Sequence, residues 1–272
     1  MPHNPHFPIV AEQDTELGRE VRHMYGEVAA RLRASAADTV VFFTSDHYNI
    51  FFDTSVPIFS IGVAEATRGP SDYPNLPAYD VRLDPDLARH LQEQSVAAEF
   101  DVGMSQEFEV DHTVISPLHF LTPGLTVPIV PIFISGFMRP LPTARRCFDF
   151  GRALRRAIES YPGDRRVAVV ASGSISLEIG GPRVFEDHHT GVPDPEWLDR
   201  VVGLLADGEF EKLVEHATDA QIFRAGNAGG EILDWITMLG MTDPAPPEFL
   251  DVQPRFGHAF AAWPQPASGA AS

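Results

Sequence analysis

Residues 39–47 read Thr39-Val40-Val41-Phe42-Phe43-Thr44-Ser45-Asp46-His47, and the fold is decided in this stretch. The run TVVFF is β-branched or aromatic at every position after the threonine. A strand buried on both faces, inside a parallel sheet covered by helices, needs that composition. Upstream, Leu17, Val21, Met24, Val28 and Leu32 recur at spacings of three and four and predict a helix over about residues 15–34. Downstream, three further apolar runs predict strands at residues 57–63 (PIFSIGV), 127–133 (VPIVPIF) and 166–171 (RVAVVA). The two prolines of the 127–133 run point to strand ends or an edge position, because proline donates nothing to a ladder.

Between the last two runs, Cys147, Phe150, Leu154 and Ile158 form the inner stripe of a helix over about residues 143–160. Strand, helix and strand make a crossover unit. Helices are also predicted at 195–205, 209–217 and 230–239, the first opened by Asp194-Pro195. The expectation is a single α/β domain over residues 1–245, with a mostly parallel central sheet flanked by helices. The tail, 246–272, is proline-rich and ends in PASGAAS, and is expected to lie loosely on the surface or fray.

Composition narrows the function classes. Of 272 residues 44% are apolar and 10% aromatic, enough for a packed core and against a disordered or fibrous chain. The 38 acidic and 20 basic residues give a formal charge of −18, which repels nucleic acid and anionic membrane surfaces. The longest apolar stretches fall far short of the roughly 20 residues of a membrane helix. The single cysteine, Cys147, forms no intrachain disulfide, and the start MPHNPHFPIV lacks a signal-peptide layout, so a cytoplasmic protein is expected.

Among eleven histidines, three have an informative context. His47 follows the first strand, where open α/β sheets place ligands, although a histidine there also serves as a loop cap. His6 lies in the segment HFP near the start. His112 follows Asp111, an arrangement that suits either catalysis or a turn cap. Glu231 opens the 230–239 helix, where a carboxylate meets the positive helix end. The glycines before it, Gly226, Gly229 and Gly230, would admit a close backbone approach to a ligand or make a flexible connection. Two histidines and a carboxylate, as His6, His47 and Glu231 would supply, form the facial set of non-haem iron(II) oxygenases, and the same set also holds hydrolytic zinc.

The segments HFP, SDHYNIFFD, PIFSIGVAE, QEFEVDH, VPIVPIFIS, PLPTARRCFDFGRALRRAIES, VAVVASG, DPEWL and GGEILDW follow one another in a known order. Together they resemble the class III extradiol ring-cleavage dioxygenases, especially the protocatechuate 4,5-dioxygenase β subunit. The resemblance extends to about Leu239 and implies a catalytic domain over residues 1–245. It implies Fe(II) bound by His6, His47 and Glu231, with His112 beside the substrate in acid/base or oxygen handling. It also implies a catechol-type aromatic substrate chelated through vicinal oxygens, O2 as co-substrate, and a homo-oligomer or a complex with a small helical subunit.

The chain departs from the family in two ways. Only five residues precede His6, where the family has a strand. Gly173-Ser174-Ile175-Ser176-Leu177 places leucine where the family carries its second catalytic histidine. Leucine accepts no proton, so the acid/base site is altered, and His188 and His189 in EDHHTG are candidate substitutes. Glu178 would need a local shift to serve. The leading function is an Fe(II) extradiol-type dioxygenase for a catechol or close analogue. A noncatalytic partner subunit, or a metal enzyme of the same fold with different chemistry, are the alternatives.

Overall fold

The computed structural model of the chain describes residues 1–52, 54–181 and 190–264. After a short helix, α1 (Phe7–Ala11), the long helix α2 (Glu16–Ser35) begins where Thr15 accepts a hydrogen bond from the Gly18 N–H, 3.0 Å away. The strand β1 (Thr39–Ser45) is buried at every residue. Then come β2 (Phe59–Gly62), the small hairpin β3 (Ala66–Gly69) and β4 (Tyr79–Arg82), α3 (Pro85–Ala97), β5 (Val102–Ser105) and α4 (His112–Leu121). The chain continues through β6 (Ile129–Ile134), α5 (Ala144–Glu159) and β7 (Val167–Ala171). The last part holds the short pair β8 (Glu178–Ile179) and β9 (Thr190–Gly191), then α6 (Pro195–Ala206), α7 (Phe210–His216), α8 (Asp219–Arg224), α9 (Ile232–Gly240), β10 (Phe249–Gln253) and β11 (His258–Ala262).

The central sheet has the order β5-β2-β6-β1-β7. Strand β1 runs parallel to β6 and β7, β2 runs parallel to β5, and the single antiparallel junction is β2 with β6. Period-two alternation divides β1 between two cores. Val41 and Phe43 pack with α5 and α9, whereas Val40 and Phe42 pack with α2 and α4. The apolar character of both faces in TVVFF therefore reflects two helical layers.

Two expectations change. The 127–133 run is the middle strand of five. Its carbonyl at Ile129 accepts from Asp84 N on the β2 side, so alternation turns the nitrogen of Pro131 to that side too. The last β2–β6 pair is Ile61↔Ile132, so the missing donor falls where the ladder has already stopped. The second change is the tail. Strands β10 and β11 pair antiparallel from Phe249↔Ala262 to Gln253↔His258, and Ala259 and Phe260 are fully buried. Phe260 meets Tyr25 of α2 edge to face at 4.8 Å, so this hairpin belongs to the core that the loose-tail reading left it out of. Among the described residues no helix is long and apolar enough to cross a membrane.

Candidate metal centre

Because β1, β6 and β7 are parallel, their carboxyl ends open on one edge of the sheet. His47 lies just past β1. Its loop is pinned by Asp46, whose carboxylate accepts from the backbone N–H groups of Asn49, Ile50 and Phe51 at 3.1, 2.9 and 3.0 Å. Tyr48, between them, is held at φ +62°, a left-handed conformation that a bulky residue adopts only when its surroundings enforce it. Past β7, Ser172 and Ser174 turn toward the same place.

Glu231 arrives from the other side, at the start of α9, and is fully buried. Its position is set by backbone packing. A Cβ on Gly230 would stand 1.9 Å from the Gly136 carbonyl oxygen, and one on Gly226, at φ +121°, would stand 1.9 Å from that of Leu177. These glycines thus bring backbone against backbone, and the contact they make is with the protein itself.

The third residue at the centre is His3. Residues 1–3 are buried, with the Met1 carbonyl accepting from Gly173 N and the Pro2 carbonyl from the Tyr25 hydroxyl. His3 Nε2 lies 3.3 Å and His47 Nε2 3.1 Å from the same atom, Glu231 Oε1. The other carboxylate oxygen accepts from Ser174 N. Ser172 settles the His3 tautomer. Its hydroxyl donates to the Thr113 carbonyl at 2.9 Å, which leaves its oxygen to accept from His3 Nδ1–H, also at 2.9 Å.

His3 Nε2 therefore turns a lone pair toward a carboxylate oxygen. Lone pair facing lone pair repels unless a cation lies between them. Burial pushes the Glu231 carboxyl up, but the neighbouring imidazoles of His3 and His47 outweigh it and hold the group well below the usual carboxylate range. Burial holds His3 below the usual histidine value against the pull of Glu231. For His47 burial acts in the same direction, but the hydrogen bond and charge of Glu231 prevail and raise it. An anionic carboxylate flanked by two imidazole nitrogens is a donor set that suits a divalent ion.

His112 closes the group. A ring nitrogen of each of His3, His47 and His112 lies within 4.8 Å of those of the other two. His112 is the first residue of α4, whose cap is Asp111, accepting from Thr113 N at 3.0 Å. Its backbone N–H donates to Asp72 Oδ1 at 3.0 Å, and its ring Nδ1 contacts Asp72 Oδ2. Asp72, Asp111 and His112 also lie close enough to suggest a second ion site. The Asn49 amide already bridges both carboxylates, at 3.3 and 3.0 Å, so these oxygens are engaged by protein donors. On the far side of His47, Phe137 packs edge-on at 4.4 Å and shares an aromatic cleft with Tyr48, Phe51 and Phe133.

The structure brings His47, Glu231 and His112 together and leaves His6 outside. His6 is exposed, and its Nδ1 pairs with the Tyr73 hydroxyl at 3.0 Å. The histidine at the centre is His3, three residues earlier, with Ser172 behind its Nδ1 as Asp72 is behind that of His112. None of these three stands out in the sequence, though the doubled Pro-His in MPHNPH puts two imidazoles within reach of one place. Leu177 is half-buried, its N–H bonded to Ala225 O and its carbonyl to Ala228 N. Glu178 is spent on Asn227 N at 2.7 Å, in the loop leading to Glu231. His188 and His189 lie outside the described residues.

An uncharacterised Escherichia coli K12 protein of known structure shares the fold, with a TM-score of 0.57 and 16% identity over 86% of this chain and 90% of that one. Gallate dioxygenase of Pseudomonas putida is 37% identical over 157 residues, 57% of this chain, and the match spans only 44% of that longer relative. A 2,3-dihydroxyphenylpropionate/2,3-dihydroxicinnamic acid 1,2-dioxygenase of Cupriavidus necator is 30% identical over 274 residues, 86% of each chain. Its counterpart in Paraburkholderia xenovorans is 31% identical over 264 residues, 81% of this chain and 82% of the relative. Residues 1–262 match the family described as the catalytic LigB subunit of aromatic ring-opening dioxygenase, and the chain belongs to that family.

Proposed function

We propose that the chain is a non-haem Fe(II)-dependent extradiol-type dioxygenase that opens the ring of a catechol or close analogue with O2, the ion being held by His3, His47 and Glu231. The observation that supports this most is Glu231 Oε1 set between two histidine Nε2 atoms, one of them locked by Ser172 with its lone pair inward. When bound there, Fe(II) supplies Lewis-acid activation of two vicinal substrate oxygens and an open position for O2.

The protein's own groups do the rest. Glu231 and the two imidazoles orient the donor set from a water-poor interior, since Glu231 is fully buried and His3 nearly so. His112 stands beside them as the group that takes and returns a substrate proton. Phe137, edge-on to His47, brings an aromatic side chain beside the centre for a flat ring to pack on. Leu177 brings no base, so the second proton passes to His188 or His189, or the preferred substrate is one already acidic.

The test is metal analysis of anaerobically purified protein, followed by oxygen uptake with protocatechuate, gallate and 2,3-dihydroxyphenylpropionate. Wild type and His6→Ala should each retain about one iron per chain, and His3→Ala and Glu231→Gln should lose it. Iron retained in full by His3→Ala would refute the ligand set. Iron-loaded wild type inert toward every diol would refute the reaction.

A further inference from the structure

The contacts of His112 extend the reading just proposed, on which the following rests. A residue that shuttles a proton must present the right nitrogen to the substrate, and an imidazole offers two. One carboxylate, that of Asp72, meets His112 twice: Oδ1 accepts its backbone N–H and Oδ2 meets its ring Nδ1. The two groups are largely buried, with 13% and 16% of their side chains exposed, so water competes little for either. Asp72 is itself held. Asn49 donates to Oδ2, and the neighbouring Tyr73 is tied to His6.

A carboxylate is only an acceptor, so Nδ1 must carry the proton that it binds. The remaining nitrogen, Nε2, then keeps its lone pair for the reacting side of the ring. We infer that Asp72 is a positioning residue that fixes His112 in the Nδ1–H tautomer, aims Nε2 at the substrate and stabilises the imidazolium formed when the proton arrives. Asp111, adjacent in sequence, does not take this part, because its oxygens are engaged by Thr113 and Asn49 as the cap of α4.

Asp72→Asn separates this role from simple packing, since the amide is nearly the same size as the carboxylate. The asparagine oxygen would still accept from His112 N–H. Its NH2 would then face Nδ1 and donate, forcing the ring proton onto Nε2. A tautomer reversal of this kind in the carboxylate–histidine pair of a serine protease costs on the order of 10⁴ in kcat, the upper end of what a positioned acid/base group supplies.

Two measurements on the full chain decide the matter. In 15N-histidine-labelled protein, with the His112 signal assigned by its loss in His112→Ala, long-range 1H–15N spectra should show the Nδ1–H form in wild type and the Nε2–H form in Asp72→Asn. In the iron-loaded enzyme, oxygen uptake with 2,3-dihydroxyphenylpropionate should show kcat lower by about 10²- to 10⁴-fold in Asp72→Asn, with KM and iron content little changed. An Nε2–H tautomer in wild type, or a kcat within twofold of wild type in Asp72→Asn, would overturn the inference. If wild type consumes no oxygen with any diol, the ring-opening reading fails, while the tautomer spectra still decide what Asp72 does.

Discussion

Replacing Gly230 with alanine should unseat Glu231, its neighbour in the chain, although Gly230 is not itself a proposed ligand. The added Cβ would stand 1.9 Å from the Gly136 carbonyl oxygen, 2.8 Å from its carbon and 3.0 Å from its Cα. Heavy atoms in contact sit about 3.5 Å apart or more, so one backbone segment must move by over an ångström. Neither is free to move. Gly136 is backed by Ser45, whose hydroxyl would lie 2.3 Å from a Cβ there, and Gly230 leads into α9, which is buried throughout. Overpacking of this kind costs about 1–3 kcal/mol, and backbone-to-backbone contact places it at the upper end. At roughly 2–4 °C per kcal/mol for a chain of this class, Tm should fall by about 5–10 °C. A catalytic group displaced by an ångström can cost about 10²-fold in rate. Gly26→Ala is the control. Gly26 lies exposed in α2 with nothing within 4 Å of a Cβ, so alanine there should stabilise the helix by about 0.5–1 kcal/mol. Calorimetry and iron content of the two variants are the measurements. A Gly230→Ala protein that melts with wild type and keeps its iron would refute the claim that this contact seats Glu231.

Ser172→Ala removes the acceptor behind His3 Nδ1 and should weaken iron binding by about 10- to 100-fold, read by chelator competition; unchanged affinity would show that the tautomer is held by something else. His258 is buried and held neutral, its pKa pushed down by burial to about 3 from an ordinary 6.5. The unfolded chain therefore binds the extra proton first, and stability present above pH 6.5 is lost as pH falls toward 3. Urea denaturation at pH 7, 6 and 5 should show a shallower loss for His258→Leu than for wild type, and parallel curves would contradict this. Leu177→His should raise oxygen uptake with protocatechuate by at least about tenfold by restoring a proton acceptor. An unaltered rate in the variant, beside a fast wild type, would mean that no base is needed at that position.

The layers of the fold were legible because their signals are local. Apolar spacing of three and four marks α2 and α5, and a run greasy on both faces marks β1, whichever partners it later meets. Asp111-His112 left capping and catalysis open; in the fold Asp111 caps α4, and the His112 ring lies beside those of the other two histidines. The docking of the terminal hairpin was hidden because proline-rich flanks mask five-residue strands, and only pairing reveals that Phe260 is buried.

The centre itself is a matter of long-range contact. His3 and Glu231 are 228 positions apart, and no spacing rule reaches across that distance. In the sequence His6, His47 and Glu231 offer the chemistry of a metal donor set. His3 is chemically equal to His6, and no local signal sets it apart. Folding separates them: Tyr25 and Gly173 bind the backbone of the first two residues, drawing His3 inward. The start of α1 at Phe7 left His6 on the outside, against Tyr73. A side chain's reactivity belongs to the residue, whereas its partners are set by where the rest of the chain leaves room for it.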